Sequence, residues 1–110
     1  MYRDVLKEIL EFRDDREWKQ YHNAKDLAIS ISLEASELLE IFQWTPSEEA
    51  VENRSKEIKE EIADVLIYTM LLANDLNIDL EEIILEKLKV NGEKYPIEKA
   101  RGSKDKYTDL

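Results

Sequence analysis

Residues 27–42 and 65–73 place apolar side chains on every side of a helix, and each stretch carries or adjoins a pair of acids. Glu34 and Glu37 interrupt the first, and Glu61 and Asp64 stand just before the second. A helix apolar all round is normally buried, whereas ionised carboxylates are almost never fully buried unless they are paired or hold a metal. Four acids in such settings call for a cation.

The rest of the pattern reads as helix. Val5, Leu6, Ile9, Leu10 and Phe12 mark one face of an amphipathic helix from residue 2 to 18 or beyond. A second helix is expected from Asn23, with Asn23 as its cap, to Trp44, because Pro46 pushes Thr45 out of the helical region. Thr45-Pro-Ser-Glu48 has the form of a capping box with Pro at the first helical position, so a helical turn restarts there. Residues 48–60 are polar and read as a solvated or partly irregular connection. A third long helix follows over 56–74, and Asp79-Leu-Glu-Glu82 caps a fourth that runs to Tyr95, where Pro96 stops it. Residues 97–110 form a tail without a clear period. The expected fold is all-α, a four-helix bundle over residues 1–96 with a C-terminal tail over 97–110.

Composition narrows the chemistry. With 110 residues, 26 acids against 16 bases and a net charge of −10, one small acidic domain is expected, one that repels nucleic acid and anionic membranes. The absence of cysteine excludes disulfides, thiolate catalysis and zinc–thiolate sites. No apolar run approaches the roughly 20 residues of a membrane span and no apolar signal core follows Met1, so cytoplasmic residence is expected. Lys94, Lys99, Arg101, Lys104 and Lys106 reverse the local charge sign near the C-terminus, where an anion can dock. There is no internal repeat, Gly-rich phosphate loop or Walker pattern.

At 100° per residue, Glu34 and Glu37 project about 60° apart on adjacent turns, and Glu61 and Asp64 repeat that geometry. Two facing pairs make a cage of oxygen ligands, which suits a hard cation, and Mg²⁺ sharing its shell with substrate phosphates is the natural occupant. Mn²⁺ is a possible substitute. Acid-x-x-acid spacing alone is common on solvated faces of so charged a chain, and the apolar settings and the repetition distinguish these two pairs. Glu40 drifts further round the helix, toward a rim position. A di-iron bundle needs Glu-x-x-His on two helices, and the single histidine, His22, fails that spacing. Tyr68 shares the face of Asp64. Lys87, Asn91 and Lys94 form one polar stripe, either a phosphate-binding edge or an ordinary solvated face. Trp18 and Trp44, near helix ends, either stack on a planar ligand or plug the bundle. His22 either hydrogen-bonds a base or caps a turn.

The sequence resembles the all-α nucleoside triphosphate pyrophosphohydrolases, the MazG-like superfamily, and within it the single-domain dCTP pyrophosphatase type. The resemblance is carried by Phe12-Arg-Asp-Asp-Arg-Glu-Trp18, Glu34-Ala-Ser-Glu37-Leu-Leu-Glu40-Ile-Phe-Gln-Trp44, Glu60-Glu-Ile-Ala-Asp64-Val-Leu-Ile-Tyr68 and Lys87-x-x-x-Asn91-x-x-Lys94-Tyr-Pro96. Arg101-Gly-Ser103 and Lys106-Tyr-Thr-Asp-Leu110 extend it over nearly the whole chain. It implies hydrolysis of a triphosphate between the α and β phosphates, with Mg²⁺ held by Glu34, Glu37, Glu61 and Asp64. It implies further that Trp18, His22, Trp44 and Tyr68 surround base and sugar, and that Lys87, Asn91, Lys94, Arg101, Lys106 and Tyr107 lie toward the phosphates. A dimer or tetramer with sites at subunit contacts is also implied. dCTP or a modified dCTP is the expected substrate, with dUTP or a broad range as the alternative and a non-catalytic Mg²⁺- or nucleotide-binding oligomer as the rival of another class.

Overall fold

The computed structural model describes residues 2–110 and contains helices and turns, with no strand among the described residues. Among the described residues six α-helices follow one another: α1 (Tyr2–Asp15), α2 (Ala24–Phe42), α3 (Ser47–Asn53), α4 (Ser55–Asp75), α5 (Leu80–Lys94) and α6 (Ile97–Ala100). Short 3-10 turns at Trp18–Tyr21 and Tyr107–Asp109 complete the chain. The all-α expectation holds. The chain divides into two compact units, one ending at Asn77 and one from Ile78 to Leu110.

In the first unit the apolar α2 packs along the apolar α4, while α1 rests on α4 and the short α3 touches both long helices. Leu27 and Ile41 from α2, Ala50 from α3 and Met70, Leu71 and Ala73 from α4 are buried. The all-round apolar character of the two long helices is therefore only partly used within one chain: Leu33 and Leu39 on α2 remain 59% and 68% exposed. The second unit holds α5 and α6, and its Tyr95 and Tyr107 rings meet edge to face at 5.9 Å.

Several boundaries differ from the sequence reading. α1 stops at Asp15, because the run Arg13-Asp-Asp-Arg-Glu17 has little apolar surface to extend its face; Glu17 turns the chain at φ 55°, in the left-handed region. α2 ends at Phe42, so that Trp44 lies in the following turn at φ 65°. The connection expected over 48–60 is mostly helical, interrupted only at Arg54, whose side chain pairs with Glu57 across the junction.

Caps sort the same way. Asn23 Oδ1 accepts from the Asp26 N–H at 2.8 Å and Asp79 Oδ1 from the Glu82 N–H at 3.1 Å, both as expected. The capping box at Thr45 does not form. Thr45 Oγ1 instead donates to the Gln43 carbonyl at 3.4 Å, and Pro46, with no side-chain cap, precedes α3.

Candidate active site

The packing of α2 on α4 brings Glu34 against Glu61 and Asp64. One carboxylate oxygen from each of the three lies within 4.8 Å of the other two. All three are half-buried, whereas Glu37 and Glu40 are exposed. Glu37 borders the cluster closely enough to perturb both Glu34 and Glu61, but Glu40 takes no part in it.

Crowding leaves an electrostatic signature. Glu34 is pushed up to about 8, first by burial, then by its contacts with Glu61 and Glu37 and by the negative charges of Glu37 and Asp64. For Glu61 the contact with Glu34 acts downward, but burial and the neighbouring Glu37 and Asp64 outweigh it, and its affinity for a proton is raised. Glu34 Oε2 and Glu61 Oε2 are buried with no hydrogen-bond donor among the described residues. Buried carboxylate oxygens without donors are costly, and a hard divalent cation with oxygen ligands is the group that this donor set fits.

Further along α4 the same face borders a small cavity lined mainly by aromatic and apolar side chains. Tyr68 follows Asp64 by one turn, and its hydroxyl is held above the usual phenol range by burial and then by the charges of Glu34, Asp64 and Glu37. It lines a cavity of about 70 Å³ together with Trp18, His22, Phe12, Arg13 and Leu71, among others. Trp18 and Phe12 meet in a T-shaped contact with ring centroids 5.8 Å apart, and the Arg16 guanidinium lies over the Phe12 ring, 3.6 Å from its centroid. His22 caps the 3-10 turn through its backbone N–H, donating to the Lys19 carbonyl at 3.1 Å, while its side-chain Nδ1 is buried without a partner among the described residues. The turn cap thus occupies the backbone of His22 and leaves its buried ring nitrogen unpaired among the described residues.

Trp44 is 92% exposed and lies outside both this cavity and the larger groove between α1 and α4. In the second unit, the Lys94 ammonium stands 4.9 Å from the centre of the Tyr107 ring. Asn91 on the same helix is half-buried, and Lys87, Arg101 and Lys106 are exposed. Arg13 is buried and lines the same cavity, which the sequence did not signal because an arginine in a charged run looks like a solvated surface group.

Comparison with known proteins adds independent support. Residues 29–110 match the MazG-like family. dCTP pyrophosphatase 1 of Bos taurus is 38% identical over 97% of this chain, and that of Homo sapiens 36% over the same share. The match covers 66% of the length of each of these relatives. The crystal structure of a pyrophosphatase from Archaeoglobus fulgidus superposes with a TM-score of 0.83 at 47% identity, over 86% of this chain and 92% of that one.

Proposed function

This chain belongs to the MazG-like family, and from that premise we propose that it is a nucleoside triphosphate pyrophosphohydrolase acting on dCTP or a modified dCTP, with Mg²⁺ as its cation. The observation that carries this reading is the half-buried Glu34–Glu61–Asp64 cluster, with two buried oxygens lacking donors, one turn from a cavity lined by Trp18, His22 and Tyr68. The mammalian relatives named for dCTP and the archaeal pyrophosphatase support the same chemistry.

In this reading one of Glu34 and Glu37 serves the attacking water, and the remaining acids of the set Glu34, Glu37, Glu61 and Asp64 would hold Mg²⁺, with Mn²⁺ as a substitute. The cation supplies charge neutralisation at the phosphate oxygens. Glu37 or Glu34 takes a proton from the attacking water, which bonds to the α-phosphorus as the bond from that phosphorus to the αβ-bridging oxygen breaks. Pyrophosphate leaves with the bridging oxygen, and the nucleoside monophosphate keeps the water oxygen. Trp18, Tyr68 and His22 receive base and sugar by stacking and edge contacts, and Lys87, Asn91, Lys94, Arg101, Lys106 and Tyr107 are the proposed donors to phosphate oxygens. The tail over 97–110 accordingly serves phosphate binding or subunit contacts. The working form is a dimer or tetramer in the cytoplasm, where it clears surplus or altered nucleotides.

The test is pyrophosphate release from a panel of canonical and 5-substituted deoxynucleoside triphosphates, with Mg²⁺ and with chelator, beside an Asp64→Ala control. Metal-dependent release with dCTP foremost is expected, reduced at least about a hundredfold in the control. Preference for dUTP, or no preference, would replace the substrate assignment. No release from any triphosphate would leave a cation-binding helical module.

A further inference from the structure

Glu61, Asp64, Tyr68, Leu71 and Asp75 follow one another along α4 in steps of three or four residues, and so occupy one face. At one end of this stripe are the acids of the cation cluster. At the other, roughly 16 Å along the helix from Asp64, is Asp75. Asp75 is paired across the α1–α4 packing with Arg13, which is only 5% exposed. The two ends differ in kind, since the far one brings its own cation.

The Arg13 guanidinium is fully committed in direction. Its Nε and Nη2 reach Asp14 Oδ1 at 2.9 and 2.8 Å, and Nη1 reaches Asp75 Oδ1 at 3.4 Å. The same residue starts the turn that follows α1: its carbonyl accepts from the Arg16 N–H at 3.3 Å, and that of Asp14 accepts from the Glu17 N–H at 3.0 Å. Beyond the turn come Trp18 and His22, which lie in the cavity wall with Tyr68, Leu71 and Arg13 itself. The side chain of Arg13 therefore ties the launching point of the Trp18–His22 segment to the end of α4.

A buried ion pair is weak evidence for stability, because apolar residues of similar volume often serve as well, but it can select one geometry among several packed alternatives. A guanidinium fork fixes direction as well as distance, which a lysine ammonium does not. We propose that Arg13, clamped by Asp75, is a positioning residue that sets the placement of Trp18 and His22 across from Tyr68 and so governs discrimination among nucleoside bases. This rests on the reading of the cavity as the base site. The expectation is that the clamp affects recognition of the nucleoside and leaves the bond-breaking step alone, since the acids lie three turns away on α4.

The test uses the full chain in three variants: Asp75→Asn, Arg13→Lys and the apolar pair Arg13→Met/Asp75→Leu. Steady-state kinetics with dCTP and dUTP and thermal melting are measured on each. In the apolar pair KM for the preferred triphosphate is expected to rise about tenfold, with kcat within about twofold of the parent, and the ratio of kcat/KM between the two nucleotides to fall toward one. Asp75→Asn and Arg13→Lys should move in the same direction by less. If the apolar pair does not fold, the two single variants decide. Unchanged KM and unchanged base preference in the folded variants would overturn the proposal, as would a fall in kcat alone. A parent protein that hydrolyses no triphosphate would instead overturn the functional reading beneath it.

Discussion

At the scale of single residues, Glu34 has the most to report. Its carboxyl, raised to about 8, keeps in the folded metal-free protein a proton that the unfolded chain releases near the ordinary value of 4.5. Between these two values the folded state binds more protons than the unfolded one, so stability falls as pH rises from about 4.5 to about 8. Thermal melts in chelator at pH 5, 6, 7 and 8 should show a declining Tm, and Glu34→Gln should flatten that slope. The same proton must leave before a cation can bind, so the apparent Mg²⁺ affinity should increase on going from pH 7 to pH 8. Titration calorimetry with Mg²⁺ at the two pH values reads this directly, and an affinity independent of pH would contradict the crowding of the acids. The raised value itself was not legible in the linear chain, since it arises first from burial and then from the contacts and charges of Glu61, Glu37 and Asp64, and Glu61 and Asp64 are brought to Glu34 by another helix.

At the scale of elements, the caps separate what local sequence decides from what it does not. Asn23 and Asp79 each satisfy an N–H in the first turn of their helix, and Asn23→Ala should cost about 1 kcal/mol in urea unfolding. Thr45→Ala should cost markedly less, because Thr45 caps nothing and makes only a long contact with the Gln43 carbonyl. Equal losses from the two substitutions would show that Thr45 caps α3 after all. Asn23 and Asp79 were readable because a cap is a contact over three residues. Thr45 misled because the end of α2, with Trp44 in a left-handed turn, constrains the entry into α3, and this depends on where α2 stops. Deep packing is a third element-scale quantity: Leu27, 1% exposed at the start of α2, should cost about 2–5 kcal/mol when replaced by alanine.

At the scale of the whole molecule, the excess of exposed apolar surface on α2 and α4 bears on assembly. Leu33 and Leu39 project from α2 at exposures seldom left together on a monomer's long apolar helices, and the expected dimer or tetramer would cover such residues. Sedimentation should therefore give a mass that is a multiple of 13.0 kDa, and Leu33→Glu/Leu39→Glu should shift it toward the monomer. A parent protein sedimenting as a monomer would remove this expectation. Among the described residues no helix is long and apolar enough to cross a membrane, so these surfaces are not spans. Periodicity, caps and the spacing of the acids were enough to determine helices, their approximate limits and the residues rich in cation-binding oxygen, because each of these depends on neighbours within a turn or two. Only the tertiary structure decided that Glu34 meets Glu61 and Asp64 while Glu37 stands at their edge, that Trp18, His22 and Tyr68 share a cavity from which Trp44 is absent, and that Arg13 is buried against Asp75. Those outcomes depend on the packing of α1 and α2 on α4, whose partners lie tens of residues apart in the chain and leave no local signature.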